Sequence, residues 1–417
     1  MHITHLSLTN FRNYGRLELP IPLGATLLHG NNAQGKTNLL EAIYYLSTTR
    51  SPHADYDAQL INWAAAAQDD PVVVGRLVAQ ISTKRQEHLI EMRLIEERSR
   101  KLRNGQSGFR REVLLDRRKV RLMDLLGTLR VVLFLPEDIQ LITGSPSKRR
   151  RYLDINLCQI DSVYCRTLSQ YNKVMEQRNA LLRQIAEGSG SRSLLPVYDE
   201  KLARLGGVIF ARRAEFLARL SRELQRIHYE QLTRGNESMR LHYLPRLDPE
   251  IGGGRTPTPA PVMREWVEAH SAEAEIVAER FAAMLEETRG ADIARGSTSV
   301  GPHRDDWFLQ VNGRALSSFG SRGQQRSAIL ALKIAEIEWM TQQTGETPVL
   351  LLDEIVAELD EHRRAALLET VQQASQAILT ATDPGMFTAD FLKIATTLTV
   401  HQGRITRDTT TSAPGSS

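Results

Sequence analysis

Cysteine is scarce: the 417 residues contain only Cys158 and Cys165. Seven positions apart, they build neither a disulfide framework nor a CxxC metal or redox pair, and they fit a reducing cytosol. Long apolar runs are missing as well. No stretch of about 18 apolar residues is present to span a membrane. Met1 to Tyr14 lacks the apolar segment of a signal peptide, so a cytoplasmic protein without a membrane contact is expected. There is no internal repeat, and neither charge dominates, with 53 Lys and Arg against 49 Asp and Glu, a net +4. What is present is ordinary for a chain with ample core, 41% hydrophobic and 24% charged. The length allows two or three domains, or one large domain with an insertion.

The first third alternates strands with one loop-to-helix signal. Leu6, Leu8, Leu17 and Leu19 show the period-2 pattern of half-buried strands, as do Val72 to Ile81 and Leu89 to Ile95. Asn104-Gly105 reads as a tight turn. Ala25 to His29 is a buried strand running into Gly30, and Leu39, Leu40, Ile43 and Leu46 follow at helical spacing. Val131 to Leu135 is an apolar run ending at Pro136. From Leu153 to Ile185 the 3/4 spacing predicts one long amphipathic helix. Gly188 to Ser191 breaks it. A second helix carries Leu202 to Ile227, forming a helical hairpin with the first. A third holds Trp266, Val277, Phe281 and Leu285. Between them Pro245 to Pro261, rich in Gly and Pro, is expected to be a mobile loop. The last third returns to α/β, with a strand at Trp307 to Val311, a helix from about Gln324 to Gln343, and strands at Val349 to Leu352 and Ala377 to Thr380. Beyond Asp408 a Thr/Ser/Pro/Gly tail reads as disordered.

Gly30-Asn31-Asn32-Ala33-Gln34-Gly35-Lys36-Thr37 matches GxxxxGK[ST] between an apolar strand and an amphipathic helix. The glycines let backbone N–H groups wrap a triphosphate, and the helix N-terminus faces the anion. Lys36 reaches the β- and γ-phosphates, and the Thr37 hydroxyl ligates Mg²⁺. Val349-Leu350-Leu351-Leu352-Asp353-Glu354 supplies the second half of an ATP site. A buried strand ending in Asp353 sets a carboxylate at the sheet edge to hold Mg²⁺, and Glu354 is placed as general base on an attacking water. Ser321-Arg322-Gly323-Gln324 precedes a helix. By itself such a turn caps the helix or binds an anion.

With the phosphate loop upstream, Ser321, Gly323 and Gln324 resemble the signature motif of ABC-type ATPases, and Ala357-Glu358-Leu359-Asp360 resembles their D-loop. The resemblance implies a head-to-tail dimer in which one subunit's signature clamps the ATP of the other and Asp360 crosses the same contact. Thr382 stands where transporters usually have the switch His. Lys36 and Asp353 are 317 residues apart, far more than in transporter subunits, so an insert splits the head.

Further stretches resemble the bacterial RecF family, an SMC-like branch of these ATPases. They are Leu8 to Tyr14, Gly35 to Asn38 with Glu41, Phe134 to Asp138, Lys148 to Asp154, Gly301 to Asp306 and Ser321 to Glu336. The resemblance implies an α/β fold, an ABC/SMC-type P-loop ATPase head split in sequence by a helical insertion lobe. Residues 1–136 and 296–405 would form the head, 137–295 the helical arm and 406–417 a tail. It also implies a DNA-dependent ATPase of slow turnover on single-stranded, gapped or junction DNA. Such a protein works with RecO and RecR partners in recombinase loading, replication recovery and the SOS response.

From Arg98 to Arg121 ten basic residues stand against Glu112 and Asp116, and Lys148 to Arg151 adds four more. With few aromatics nearby, such clusters suit sequence-independent contact with the DNA backbone. His303, Asp305 and Asp306 lack a metal-ligand spacing, and a structural or ATP-coupling role is preferred over nuclease chemistry. Tyr152, Tyr164, Tyr171 and the two cysteines read as core of the helical lobe. The rival functions are the ATP-binding subunit of a transporter and the head of a coiled-coil chromosome protein. The long insert and missing switch His speak against the first. The short hairpin without a CxxC hook speaks against the second.

Overall fold

The runs Val131–Phe134, Val349–Asp353 and Gln376–Ala381 are buried along their whole length, the pattern of strands covered on both faces. The computed structural model describes residues 1–67, 70–97, 108–247 and 261–408. In it these three strands lie side by side and parallel, Val349–Asp353 in the middle. Gly24–His29 and Thr396–His401 extend the sheet in parallel beyond Gln376–Ala381, and Arg404–Arg407 closes it antiparallel. A second, antiparallel sheet runs in the order Tyr14–Pro20, His2–Phe11, Val72–Ser82, Glu87–Glu97, Gly108–Leu115, Arg118–Val120.

The helix Lys36–Thr48 is buried on nearly every side, as a helix packed within a core must be. Its Leu39, Leu40, Ile43 and Leu46 share one cluster with Leu6, Leu8, Leu77 and Met92 of the antiparallel sheet and with Leu28, Leu351 and Ile378 of the parallel one. Buried Gln376 joins the sheets by a two-way bond. Its Oε1 accepts the Ile3 N–H at 2.8 Å, and its Nε2 donates to the Ile3 carbonyl at 2.8 Å.

These elements make one compact unit, Met1–Asp138 with Glu336–Ser417, and Ile139–Ala335 makes a second. The second unit contains the helices Pro146–Ile160, Ser162–Ala186, Leu195–Arg226, Pro261–Ala269 and Ala274–Arg295. Its sheet pairs Met239–Leu244 with Asp306–Val311, and Asp306–Val311 with Arg314–Ala315. That pairing draws residues 296–335, expected in the head, into the unit of the insert. The boundary at Ala335 falls inside the helix Arg322–Thr344.

The helix expected from Leu153 to Ile185 is two helices. Asp161 leaves helical backbone geometry, and its carboxylate accepts the N–H groups of Val163 and Tyr164, so a cap interrupts a hydrophobic period that carries on across it. The expected third helix is likewise two, parted at residues 270–273. Asn104-Gly105, the Gly/Pro-rich segment 248–260 and the tail from 409 lie outside the described residues. Among the described residues no helix is long and apolar enough to cross a membrane.

The second unit has a charged interior. Arg213, 1% exposed, donates to Tyr164 Oη, Asp305 Oδ2, Asp154 Oδ1 and the Pro302 carbonyl. Arg178 bonds Asp199, Asp292 and Thr298. Tyr152, Tyr164, Tyr171, Cys158 and Cys165 are buried there. His303 is bonded through Nδ1 to Tyr171 Oη at 2.7 Å and through Nε2 to the Thr298 carbonyl oxygen at 3.1 Å. Burial, with the cations of Arg304, Arg150 and Arg213 nearby, pushes its pKa down from 6.5 to about 3. Between those values the unfolded chain binds the proton that the folded one refuses, so stability rises with pH through that window. The melting temperature should therefore fall from pH 7 to pH 5, and fall less in His303→Asn. Parallel pH profiles for the two proteins would remove His303 as the source.

Candidate functional site

The strand Gly24–His29 ends at the loop that precedes the helix Lys36–Thr48, and two glycines let the loop close. Gly30 has φ 143° and Gly35 φ 117°, values that side chains with a Cβ rarely adopt. A Cβ on Gly30 would run into the Val400 carbonyl oxygen, and one on Gly35 would lie 2.5 Å from Asn13 Nδ2. Both faces of the loop are held. Asn13 Nδ2 donates to the Gln34 carbonyl at 2.9 Å, and Tyr14 Oη to the Gly35 carbonyl at 2.9 Å. From the other side the N–H of Gly403 reaches the Gln34 carbonyl at 3.0 Å, and that of Gln402 reaches Gln34 Oε1 at 2.8 Å. Below it, Arg12 grips buried Glu41 of the helix with two bonds of 2.7 Å, a bidentate pair that fixes direction as well as distance.

Four expected site residues meet at the C-terminal edge of the parallel sheet. Lys36 Nζ donates to the carbonyls of Gly30 (2.7 Å) and Asn31 (3.0 Å) and lies 3.3 Å from Glu354 Oε1. Thr37 Oγ1 donates to Asp353 Oδ1 at 3.1 Å. Glu354 leaves the strand with φ 50°, an uncommon conformation for a residue with a side chain. Burial raises the pKa of Asp353 against the pull of its bonds to Thr380 and Thr37.

Thr380 was not foreseen. Its hydroxyl donates to Asp353 Oδ1 at 2.7 Å and accepts the Glu354 N–H at 2.9 Å, so it aims both acidic residues at once. Thr382, at the switch position, is exposed. A Thr at the end of a buried apolar run beside the Asp353 strand was the available signal. Asn13 and Tyr14 lie in the stretch Leu8 to Tyr14, where nothing local in the sequence points to the loop they hold.

Asn31, Asn32 and Ala33 form the outer bend of the loop, Ala33 with φ 62°. Asp360 caps the helix Glu361–Gln373 by accepting the Arg363 N–H at 2.9 Å. Ser321, Gly323 and Gln324 belong to the other unit, at the start of Arg322–Thr344. There Gln324 N–H donates to Ser321 Oγ (3.2 Å) and Ser321 N–H to Gln324 Oε1 (2.9 Å), a reciprocal capping box.

The basic stretches are thinner as surfaces than as sequence. Arg149 is 8% exposed and pairs with Asp306 through bonds of 2.6 and 2.9 Å. Arg150 donates to the Asp305 carbonyl, which leaves Lys148 and Arg151 exposed in that run. In the longer stretch Arg110 pairs with Glu97 and Glu112, Arg111 with Asp57, and Lys119 with Glu112. Arg117, Arg118 and Arg121 are exposed, while Arg98, Arg100, Lys101 and Arg103 lie outside the described residues.

Residues 2–406 match the family model of the RecF/RecN/SMC N terminal domain. The DNA replication and repair protein RecF of Chloroflexus aurantiacus is 39% identical over 410 residues, covering 97% of this chain and 99% of that relative. The chain belongs to the RecF family. RecF of Geobacillus thermodenitrificans is 36% identical over 406 residues, again 97% of this chain and 99% of the relative. A solved structure of the recombination mediator protein RecF-ATP in the RecFOR pathway superposes with a TM-score of 0.79 at 30% identity, covering 97% of both chains. An Smc head bound to the C-winged helix domain of ScpA shares the fold, with a TM-score of 0.50 at 15% identity over 97% of this chain and 96% of that one. The fold is thus an ABC/SMC-type ATPase head with an inserted helical lobe, the architecture the RecF resemblance implied.

Asp353 is buried and accepts from two threonines, so Thr380→Val should leave it short of a donor and cost about 1–3 kcal/mol of stability, readable by chemical denaturation. Gly35→Ala should abolish nucleotide binding by driving the loop off Asn13. A Gly35→Ala protein that binds nucleotide at wild-type affinity would refute that account of the loop.

Proposed function

We propose that this protein is an ATP-driven DNA clamp of recombinational repair and replication recovery, acting as a recombination mediator. The observation that carries the reading is the convergence of Lys36, Thr37, Asp353 and Glu354 at one sheet edge, with 3.1 Å between Thr37 and Asp353 and 3.3 Å between Lys36 and Glu354. The naming of its relatives as DNA replication and repair proteins, and the ATP complex of a RecF mediator, support it.

The N–H groups of the loop Gly30 to Thr37 receive the triphosphate at the start of the helix. Lys36 exchanges the Gly30 and Asn31 carbonyls and Glu354 for phosphate oxygens. Thr37 Oγ1 and Asp353 Oδ1 are hard oxygen donors close enough to share one Mg²⁺. Among the described residues no group of three or more His, Cys, Asp or Glu could hold a metal by itself; Thr37 and Asp353 would hold the ion beside the bound phosphates. When bound, Mg²⁺ neutralises charge on the β- and γ-phosphates. Freed from Lys36, Glu354 accepts a proton from the attacking water, and Thr380 keeps its backbone in place.

Ser321, Gly323 and Gln324 of a second copy close over the γ-phosphate, with Asp360 at the same contact. The closed pair holds single-stranded, gapped or junction DNA by its backbone through exposed cations such as Arg117, Arg118 and Arg121. Slow, DNA-stimulated hydrolysis reopens it, and RecO- and RecR-type partners take over recombinase loading.

Glu354→Gln should accumulate as an ATP-bound dimer on size exclusion, and Lys36→Arg should hydrolyse more slowly. A Glu354→Gln protein that stays monomeric at saturating ATP and Mg²⁺ overturns the clamp. If about five phosphates are neutralised, log K for DNA against log[salt] should slope by about −3.5 on single strands to about −4.5 on duplex. A salt-insensitive affinity would rule out backbone contact as the driving term.

A further inference from the structure

The signature turn is tied to a distant part of its own unit. Gln324 uses its amide oxygen on the Ser321 N–H, and its Nε2 donates to Glu237 Oε1 at 2.8 Å. The other carboxylate oxygen of Glu237 lies 3.2 Å from His228 Nε2, and His228 is fully buried. His228 belongs to the turn Ile227–Leu232, wound as a π-helix at the end of the 32-residue helix Leu195–Arg226. Such turns are rare and recur at functional sites.

One carboxylate therefore joins the Ser321 turn to the end of the longest helix of the insert. The Gln324 amide has two sides, and fixing its nitrogen on Glu237 decides that its oxygen faces the Ser321 N–H. With the backbone of Ser321 held and its Oγ accepting the Gln324 N–H, the Ser321 hydroxyl keeps its own proton, which can turn outward. It then remains to be donated to an anion. Glu237 itself sits between Thr233 and Ser238 on the stretch that leads into the strand Met239–Leu244.

We infer that Glu237 is a positioning residue for the signature turn: through Gln324 it sets Ser321 for a γ-phosphate presented by a second copy, and through His228 it connects that contact to the π-helical turn of the insert. The inference rests on the clamp reading above. It differs from it in what it demands, because binding of nucleotide to one copy does not need Glu237, while closure of two copies does.

Sedimentation of the full chain with a non-hydrolysable ATP analogue and Mg²⁺, alongside nucleotide titration under non-associating conditions, tests this. Loss of a hydrogen bond to a charged acceptor should shift the self-association equilibrium about tenfold. Glu237→Ala is expected to weaken self-association by that amount and to leave nucleotide affinity at the wild-type value, while its melting temperature falls as buried His228 loses a partner. Glu237→Gln, which keeps an acceptor for Gln324, should restore most of the association. Combined with Gln324→Ala, Glu237→Ala should add little, since both break one connection. Wild-type association in Glu237→Ala, additive effects in the double variant, or an equal loss of nucleotide affinity each overturns the proposal. A wild-type protein that fails to associate with the analogue refutes the clamp itself, and the inference with it, before any variant is made.

Discussion

Asp353 is the residue on which the site depends. A carboxylate at the end of a buried strand is costly to hold unless donors surround it, and here they come from two other parts of the chain. Thr37 arrives from the phosphate loop and Thr380 from the neighbouring strand, both onto Oδ1. Three segments thus meet at one point through two hydroxyl bonds, of 3.1 and 2.7 Å. The parallel register supports this, since Asp353 is paired with Thr380 along the sheet. A slip of one residue would turn Thr380 to the opposite face and leave the carboxylate without it.

The same logic explains why the chain can be divided in sequence without dividing the site. The loop Gly30 to Thr37 and the strand Val349–Asp353 need only share a sheet, and the central strands Gly24–His29 and Gln376–Ala381 bring them together. What lies between can grow into a separate unit. The loop is steadied by neighbours on both flanks, Asn13 and Tyr14 on one and Gln402 and Gly403 on the other. These bonds fix the carbonyls of Gln34 and Gly35 and the Gln34 side chain, so this part of the loop is ordered by the chain's own partners.

Most of the fold and the centre of the site were legible because their signals are local. An eight-residue glycine loop and an apolar run ending in two acids carry their meaning within a few positions, and strand and helix periods do the same. The unread features are pairings between distant residues. Thr380 resembles any threonine at a strand end until its partner is known. Arg149 and Asp306 are separated by 157 positions, and only folding turns an apparent surface charge into an internal one. Asp161 shows the opposite failure, a local cap hidden inside a longer hydrophobic period. Segments 296–335 read as head because the strand Asp306–Val311 does not announce that its neighbour is Met239–Leu244.

The motif Gly301 to Asp306 shows what decides whether a cluster of reactive side chains is chemistry or architecture. His303, Asp305 and Asp306 look like the parts of a hydrolytic or metal site, yet each is already engaged. Asp305 accepts from Arg213, from Tyr243 Oη at 2.5 Å and from the Arg246 N–H at 2.8 Å. Asp306 faces Arg149, and His303 is held between Tyr171 and Thr298. A buried ion pair contributes little net stability compared with apolar packing, but breaking one leaves an uncompensated charge. Such a network penalises every arrangement of the helices except the one that satisfies all partners. In this lobe the network ties the helices Pro146–Ile160, Ser162–Ala186 and Leu195–Arg226 to one another through Asp154, Tyr164 and Arg213. The reactive residue types there are held by partners inside the lobe, whereas Lys36 and Glu354 meet each other at the phosphate loop, Nζ 3.3 Å from Oε1.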